Sequence, residues 1–164
     1  MLLNISEKTI KFIIELKKKY KIFVFSNTNE IHINEFYKIL EKDVNMKSDA
    51  FLELFHGVFY SHKFGYRKPN KEAFEELLKK HTLNARETLF IDDSIQHVKG
   101  AESANIHAVH FQSTLEKLPD EFPEWIKGIN KQISFSNNKN SLFVKKKPEI
   151  IKKPEEPTKQ YQFK

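Results

Sequence analysis

Three short stretches hold the residue types that phosphoryl transfer requires. They are a hydroxyl and an amide in VFSNTN at 24–29, a lysine in GYRKPNKEAFEEL at 65–77, and paired carboxylates in TLFIDDS at 88–94. A serine hydroxyl and an asparagine amide hold phosphate oxygens, a lysine neutralises charge on a phosphoryl group, and adjacent carboxylates at a strand end hold Mg²⁺. The residues concerned are Ser26 and Asn27, Arg67 and Lys68, and Asp92 and Asp93. Each stretch alone has a plainer reading. Ser-Asn after a strand is a common turn and helix cap, Arg67-Lys68-Pro69 is a solvated turn that starts a helix, and Asp92-Asp93-Ser94 caps the helix that follows. Read together, the three agree in order and spacing with one site for an anion and a metal.

Such a site needs elements that bring the three stretches to one edge. Residues 7–20 carry Ile10, Ile13, Ile14 and Leu16 at near-helical spacing behind a Ser6 N-cap, and KIFVF at 21–25 reads as a strand buried on both faces. The alternation continues with helices predicted over 30–41, 70–81 and 95–104 and strands over 56–60, 88–91 and 107–111. This pattern predicts an α/β fold with parallel strands, in which ligands bind beyond the carboxyl ends of the strands, where all three stretches fall. Residues 115–127 predict a last short helical element over the sheet. The expected organisation is one core domain over residues 1–136 and a disordered Lys-, Pro- and Glu-rich tail over 137–164.

Composition bounds the rest. The 164 residues are enough for one domain with a core, and 39% apolar with 30% charged residues is ordinary for a globular protein. The net charge of +6 resides mostly in the tail, where residues 137–164 hold eight lysines against three glutamates; the remainder carries 20 basic and 19 acidic residues. The sequence therefore does not predict a nucleic-acid-binding face. It contains no apolar run of membrane-spanning length and opens without an apolar export segment, so a cytoplasmic protein is expected. The absence of cysteine excludes disulfides, thiolate zinc sites and thiol nucleophiles. His107 and His110, three apart on a predicted strand, point to opposite faces and do not form a shared metal site.

The stretches FSNTNEIH at 25–32, SHKFGYRKPNKEAFEELL at 61–78 and ETLFIDDSIQHVKGAESANIHAVHF at 87–111 resemble the C-terminal part of a haloacid dehalogenase (HAD) superfamily hydrolase. Within it they look most like the sugar-phosphate phosphatase branch that includes α-D-glucose-1-phosphatase. The resemblance covers residues 1–127. It implies a HAD-like Rossmannoid parallel sheet with flanking helices, in which Ser26 and Asn27 bind the phosphoryl group, Asn27 through its backbone amide and side chain. By the same resemblance Lys68 pairs with the nucleophile and phosphoryl oxygens, and Asp93 ligates Mg²⁺ directly. Asp92 holds a metal-bound water or the lysine, and Arg67 contributes to phosphate binding. Asn29, His32 and Tyr66 would line the substrate side. The implied cofactor is Mg²⁺ and the implied substrate a phosphorylated small molecule.

The resemblance also implies a DxD loop whose first aspartate forms an aspartyl-phosphate, and this chain has none. Its five aspartates are Asp43, Asp49, Asp92, Asp93 and Asp120. The expectation is an N-terminally incomplete fold, with nucleophile strand and cap absent, that leaves apolar inner edges on the strands ending near Ser26 and Ile91. The weak strand candidates QISFS at 132–136 and SLFV at 141–144 carry no aspartate. Two functions follow as expectations. One is a Mg²⁺-dependent HAD-type phosphatase whose gene is split, truncated or mis-started, so that the nucleophile strand and cap lie on an upstream segment, for example an N-terminal HAD fragment supplying the central strand in trans. The other is a non-catalytic HAD-like interaction module, inactive as an isolated chain.

Overall fold

The computed structural model describes residues 5–140, with side chains through Gln132. Helix α1 (Glu7–Lys19) opens with Ser6, whose hydroxyl accepts from the Thr9 N–H, and closes on Lys17, Lys18 and Lys19, charges that suit the negative end of a helix. Strand β1 (Phe23–Ser26) follows, then α2 (Glu30–Val44), a short α3 (Ser48–Leu52) and β2 (Gly57–Tyr60). A single turn, α4 (Ser61–Phe64), ends at Gly65, whose φ of 79° swings the chain into Tyr66-Arg67-Lys68. Beyond it come α5 (Lys71–Lys80), β3 (Leu89–Asp92), α6 (Ile95–Ser103), β4 (His107–His110) and α7 (Leu118–Asn140).

The fold is α/β, with small parallel sheets flanked by helices. β1 pairs β2 so that Ser26 lies level with Tyr60, and β3 pairs β4 so that Asp92 lies level with His110. β1 and β3 belong to separate two-stranded sheets, and among the described residues neither has a strand on its second edge. α5 joins the two sheets from below. Its Phe74 ring packs edge-on against Phe25 of β1 at 5.6 Å and Phe90 of β3 at 5.1 Å. Phe74, Leu78, Ala101, Ala104 and Ile106 form the buried core under these rings, while Ile5, Ile10, Leu40 and Phe51 form a second cluster among α1, α2 and α3. Burial of a side chain such as Phe74 contributes roughly 1.5–3 kcal/mol.

Two departures from the sequence reading have physical causes. β1 is half-buried along its whole length, not buried on both faces, because it is paired on one side only. The last helix is longer than expected: Phe122 anchors it against Phe12 and Tyr20 and Trp125 against Phe111, so residues 132–136 are helical despite their strand character. α7 runs on through Asn140, and the rest of the expected tail, with residues 141–144, lies outside the described residues. No helix among the described residues is long and apolar enough to cross a membrane.

Candidate active site

All three motif stretches emerge at the carboxyl ends of the strands, where the two sheets face each other. Lys68 occupies the centre. Its side chain is 6% exposed, and its ammonium donates to the Phe25 carbonyl of β1 at 2.8 Å and to Asp92 Oδ2 of β3 at 2.6 Å. The Nζ lies 5.4 Å from the Phe25 ring centroid and 5.2 Å from that of Phe90, so the aromatic pair that packs on Phe74 also holds the cation. One buried charge thus spans two sheets that share no backbone hydrogen bond.

Asp92 is equally enclosed at 9% exposure and has both oxygens engaged. Oδ2 takes the lysine, while Oδ1 accepts from the Ser94 N–H and from His97 Nδ1, each at 2.9 Å. Burial by itself pushes this carboxyl up; the hydrogen bond and charge of Lys68, with Ser94 and His97, more than offset that and hold it below its usual 3.8. Asp92 is therefore a carboxylate fixed in one orientation.

The Asn27 side chain does something the sequence reading did not assign to it. Oδ1 accepts the Lys68 backbone N–H at 3.0 Å and Nδ2 donates to the Lys68 carbonyl at 2.7 Å, a peptide-like clasp that fixes the lysine's backbone. What remains to Asn27 for an anion is its backbone N–H. Ser26 closes β1, half-buried, and among the described residues nothing hydrogen-bonds its hydroxyl. Arg67 is exposed beside Lys68 and Asp93 is exposed beside Asp92. Asn29 caps α2 by accepting the His32 N–H at 3.0 Å, while His32 and Tyr66 are exposed.

Two further residues shape this edge without having been singled out in the sequence. Ser61, the first residue after β2, accepts the Thr28 N–H and donates to the Thr28 carbonyl, both at 3.2 Å, pinning the loop that carries Asn27. His97 links Asp92 to Asn27, its Nε2 lying 3.4 Å from Asn27 Nδ2. The only sequence cue to His97 is its place in the first turn after the carboxylate pair.

The donor set permits one kind of metal binding. Asp92 is occupied by its partners, Asp93 presents an exposed carboxylate next to it, and among the described residues no three His, Asp or Glu side chains form a group able to hold an ion. Mg²⁺ is commonly held by one or two carboxylates with phosphate and water completing its shell. The residues fit an ion shared with a phosphate, not one caged by these residues alone. The remaining aspartates lie elsewhere, Asp43 on α2, Asp49 on α3, and Asp120 on α7 paired with Lys8 at 3.1 Å.

Known proteins are similar to this chain in fold and in sequence. A solved HAD family enzyme of Bacteroides thetaiotaomicron, an aspartate-to-alanine variant in complex with magnesium and inorganic phosphate, superposes with a TM-score of 0.58 at 26% identity, over 65% of this chain and 51% of that one. A predicted HAD-like family hydrolase of Porphyromonas gingivalis superposes at 0.55 with 29% identity, over 65% and 50%. The sesquiterpene phosphatase astK of Aspergillus oryzae is 36% identical over 63 residues, which is 38% of this chain and 32% of that protein. The chain thus spans about half the length of these solved structures and a third of the fungal phosphatase. The family model for haloacid dehalogenase-like hydrolases matches residues 2–105. With that match over more than half its length, and with Lys68 bonded both to the Phe25 carbonyl next to Ser26 and to Asp92, this chain belongs to the haloacid dehalogenase-like hydrolases.

Proposed function

We propose that this chain forms the phosphate- and Mg²⁺-facing part of a phosphomonoester hydrolase site, acting on a phosphorylated small molecule. The observation that carries this is the buried Lys68–Asp92 pair, poised between the ends of β1 and β3 beside the unengaged Ser26 hydroxyl. In this reading Ser26 and the Asn27 N–H hold two phosphoryl oxygens, and Lys68 offsets charge that develops on the group in the transition state. Arg67 approaches the phosphate from the exposed side. Asp93 holds Mg²⁺, with Asp92 orienting the lysine. The ion, when bound, neutralises phosphate charge. Sugar phosphates are the substrate class implied by the sequence resemblance. The nucleophilic aspartate comes from a strand seated between β1 and β3, on an N-terminal HAD segment outside these residues. The test is turnover of p-nitrophenyl phosphate and sugar phosphates with Mg²⁺, by the chain alone and co-expressed with such a segment carrying DxD. Lys68→Met should abolish whatever activity the pair shows, and no activity in either preparation would sink the reading.

A second reading, a non-catalytic HAD-like interaction module, draws on the positions of Asp43, Asp49 and Asp120 away from this edge. It predicts a folded chain that binds inorganic phosphate without turning over any phosphomonoester.

A further inference from the structure

We infer that His97 is a positioning residue for this site, held as the neutral Nδ1–H tautomer by hydrogen bonds at both ends of its ring. The assignment begins at Asn27. Its side-chain amide meets an N–H donor and a carbonyl acceptor of the same residue, Lys68, so its oxygen and nitrogen cannot be interchanged. Nδ2 is therefore a donor, and His97 Nε2, 3.4 Å away, must be the acceptor, carrying no proton. The ring's proton then resides on Nδ1. That nitrogen lies 2.9 Å from Asp92 Oδ1, and a carboxylate whose other oxygen takes an ammonium can only accept. The two ends of the imidazole require the same tautomer by independent routes.

The result is a closed circuit. Asn27 clasps the Lys68 backbone, the Lys68 ammonium holds Asp92, Asp92 accepts from His97, and His97 accepts from Asn27. It crosses between the sheets where β1 and β3 share no strand hydrogen bond, so side chains do there what a shared ladder would otherwise do. The Ser94 N–H and His97 Nδ1–H both reach Oδ1, which fixes the carboxylate plane and aims Oδ2 at Lys68. His97 thus acts through Asp92 and Asn27 and need touch no ligand. The residue is only partly exposed, at 21%, as a ring held on two sides should be.

Histidine-selective ¹⁵N–¹H correlation spectra of the full chain at neutral pH, with His97 assigned by its loss in His97→Asn, read the tautomer directly. The expected result is one ring with a protonated Nδ1 and a bare Nε2; a protonated Nε2, or the averaged shifts of a freely exchanging ring, would overturn the inference. The positioning role is read from the backbone amide shifts of Lys68 and Ser94. Asparagine can donate from nearly the place of Nδ1, so His97→Asn should keep both amides near wild type, whereas His97→Leu should displace both. Equal displacement by the two variants would refute positioning. If His97→Leu does not fold, the tautomer of the wild-type ring still decides, and neither readout depends on the chain's having phosphatase activity.

Discussion

Gly100→Ala separates helix propensity from packing because the two predict opposite signs. Gly100 is an interior residue of α6, where alanine exceeds glycine in helix propensity by about 1 kcal/mol. On propensity alone the variant should gain stability and melt about 2–4 °C higher, as for chains of roughly this size. The structure predicts the reverse. A β-carbon at this position would overlap the Pro69 carbonyl oxygen and sit 2.9 Å from the Pro69 carbonyl carbon and 3.0 Å from Phe74 Cε2, against 3.4 Å where ordinary contact begins. Two of the three atoms belong to the backbone and cannot rotate away, so α6 or the Lys68-Pro69 segment must move by half an ångström or more. Overpacking of this kind costs about 1–3 kcal/mol, and with unyielding backbone the upper part of that range applies. Less the propensity gain, the net loss is about 2 kcal/mol, a melting point lower by about 4–8 °C. Because Pro69 follows Lys68, the Lys68 amide resonance should shift as well. Thermal and urea unfolding monitored by circular dichroism measure the effect; a melting point that rises, with the Lys68 amide unmoved, would refute the close approach of α6 to Pro69.

Other predictions rest on the charges. Lys68→Met strands the buried Asp92 carboxylate and should cost about 3–5 kcal/mol in urea unfolding; adding Asp92→Asn should recover much of that loss, and simple additivity would speak against a coupled pair. Because the folded Asp92 carboxyl lies below its unfolded value of 3.8, its contribution to stability is present above pH 4 and lost as pH falls through the folded value, a loss that Asp92→Asn should remove from the acid-unfolding profile. His81 is depressed below 6.5 by burial and then by Lys80 and Lys21, and its Nε2 is buried without a hydrogen-bond partner among the described residues. Its ring packs on Phe23 and Phe59. Its contribution is thus complete above pH 6.5 and declines as pH falls toward the folded value, so His81→Phe should flatten the melting point between pH 7 and 5. An unchanged slope would contradict the assignment. Asp93→Asn should leave stability within about 0.5 kcal/mol, since the residue is exposed, while abolishing Mg²⁺-induced shifts of neighbouring amides; persistence of those shifts would locate the ion elsewhere.

The residues that meet at the site were legible because each announces itself locally. Ser26 and Asp92 end apolar β-rich runs and Lys68 precedes a proline-led helix, so strand and helix periodicity sufficed to put them on one edge. The work of the Asn27 side chain was not legible, because its partner is 41 residues away and nothing near Asn27 distinguishes a clasp from a cap. His97 escaped for the same reason: its meaning depends on Asn27, 70 residues distant. The half-buried state of β1 and the length of α7 depend on which strands and rings lie alongside, which local composition does not encode.

What the sequence determined by itself is the α/β alternation, the parallel sense of the strands and the placement of Ser26 and Asp92 at strand carboxyl ends. These follow from periodicities of 2 and 3.6 residues and from turn chemistry, which act over a few neighbours. Tertiary structure alone decided that β1 and β3 lie in separate sheets bridged by a buried ammonium, that Gly100 must lack a side chain, and that Asn27, Lys68, Asp92 and His97 close into one hydrogen-bonded circuit. Those features are satisfied only when donors and acceptors tens of residues apart are desolvated together, a condition that exists in the folded chain and in no local segment of it.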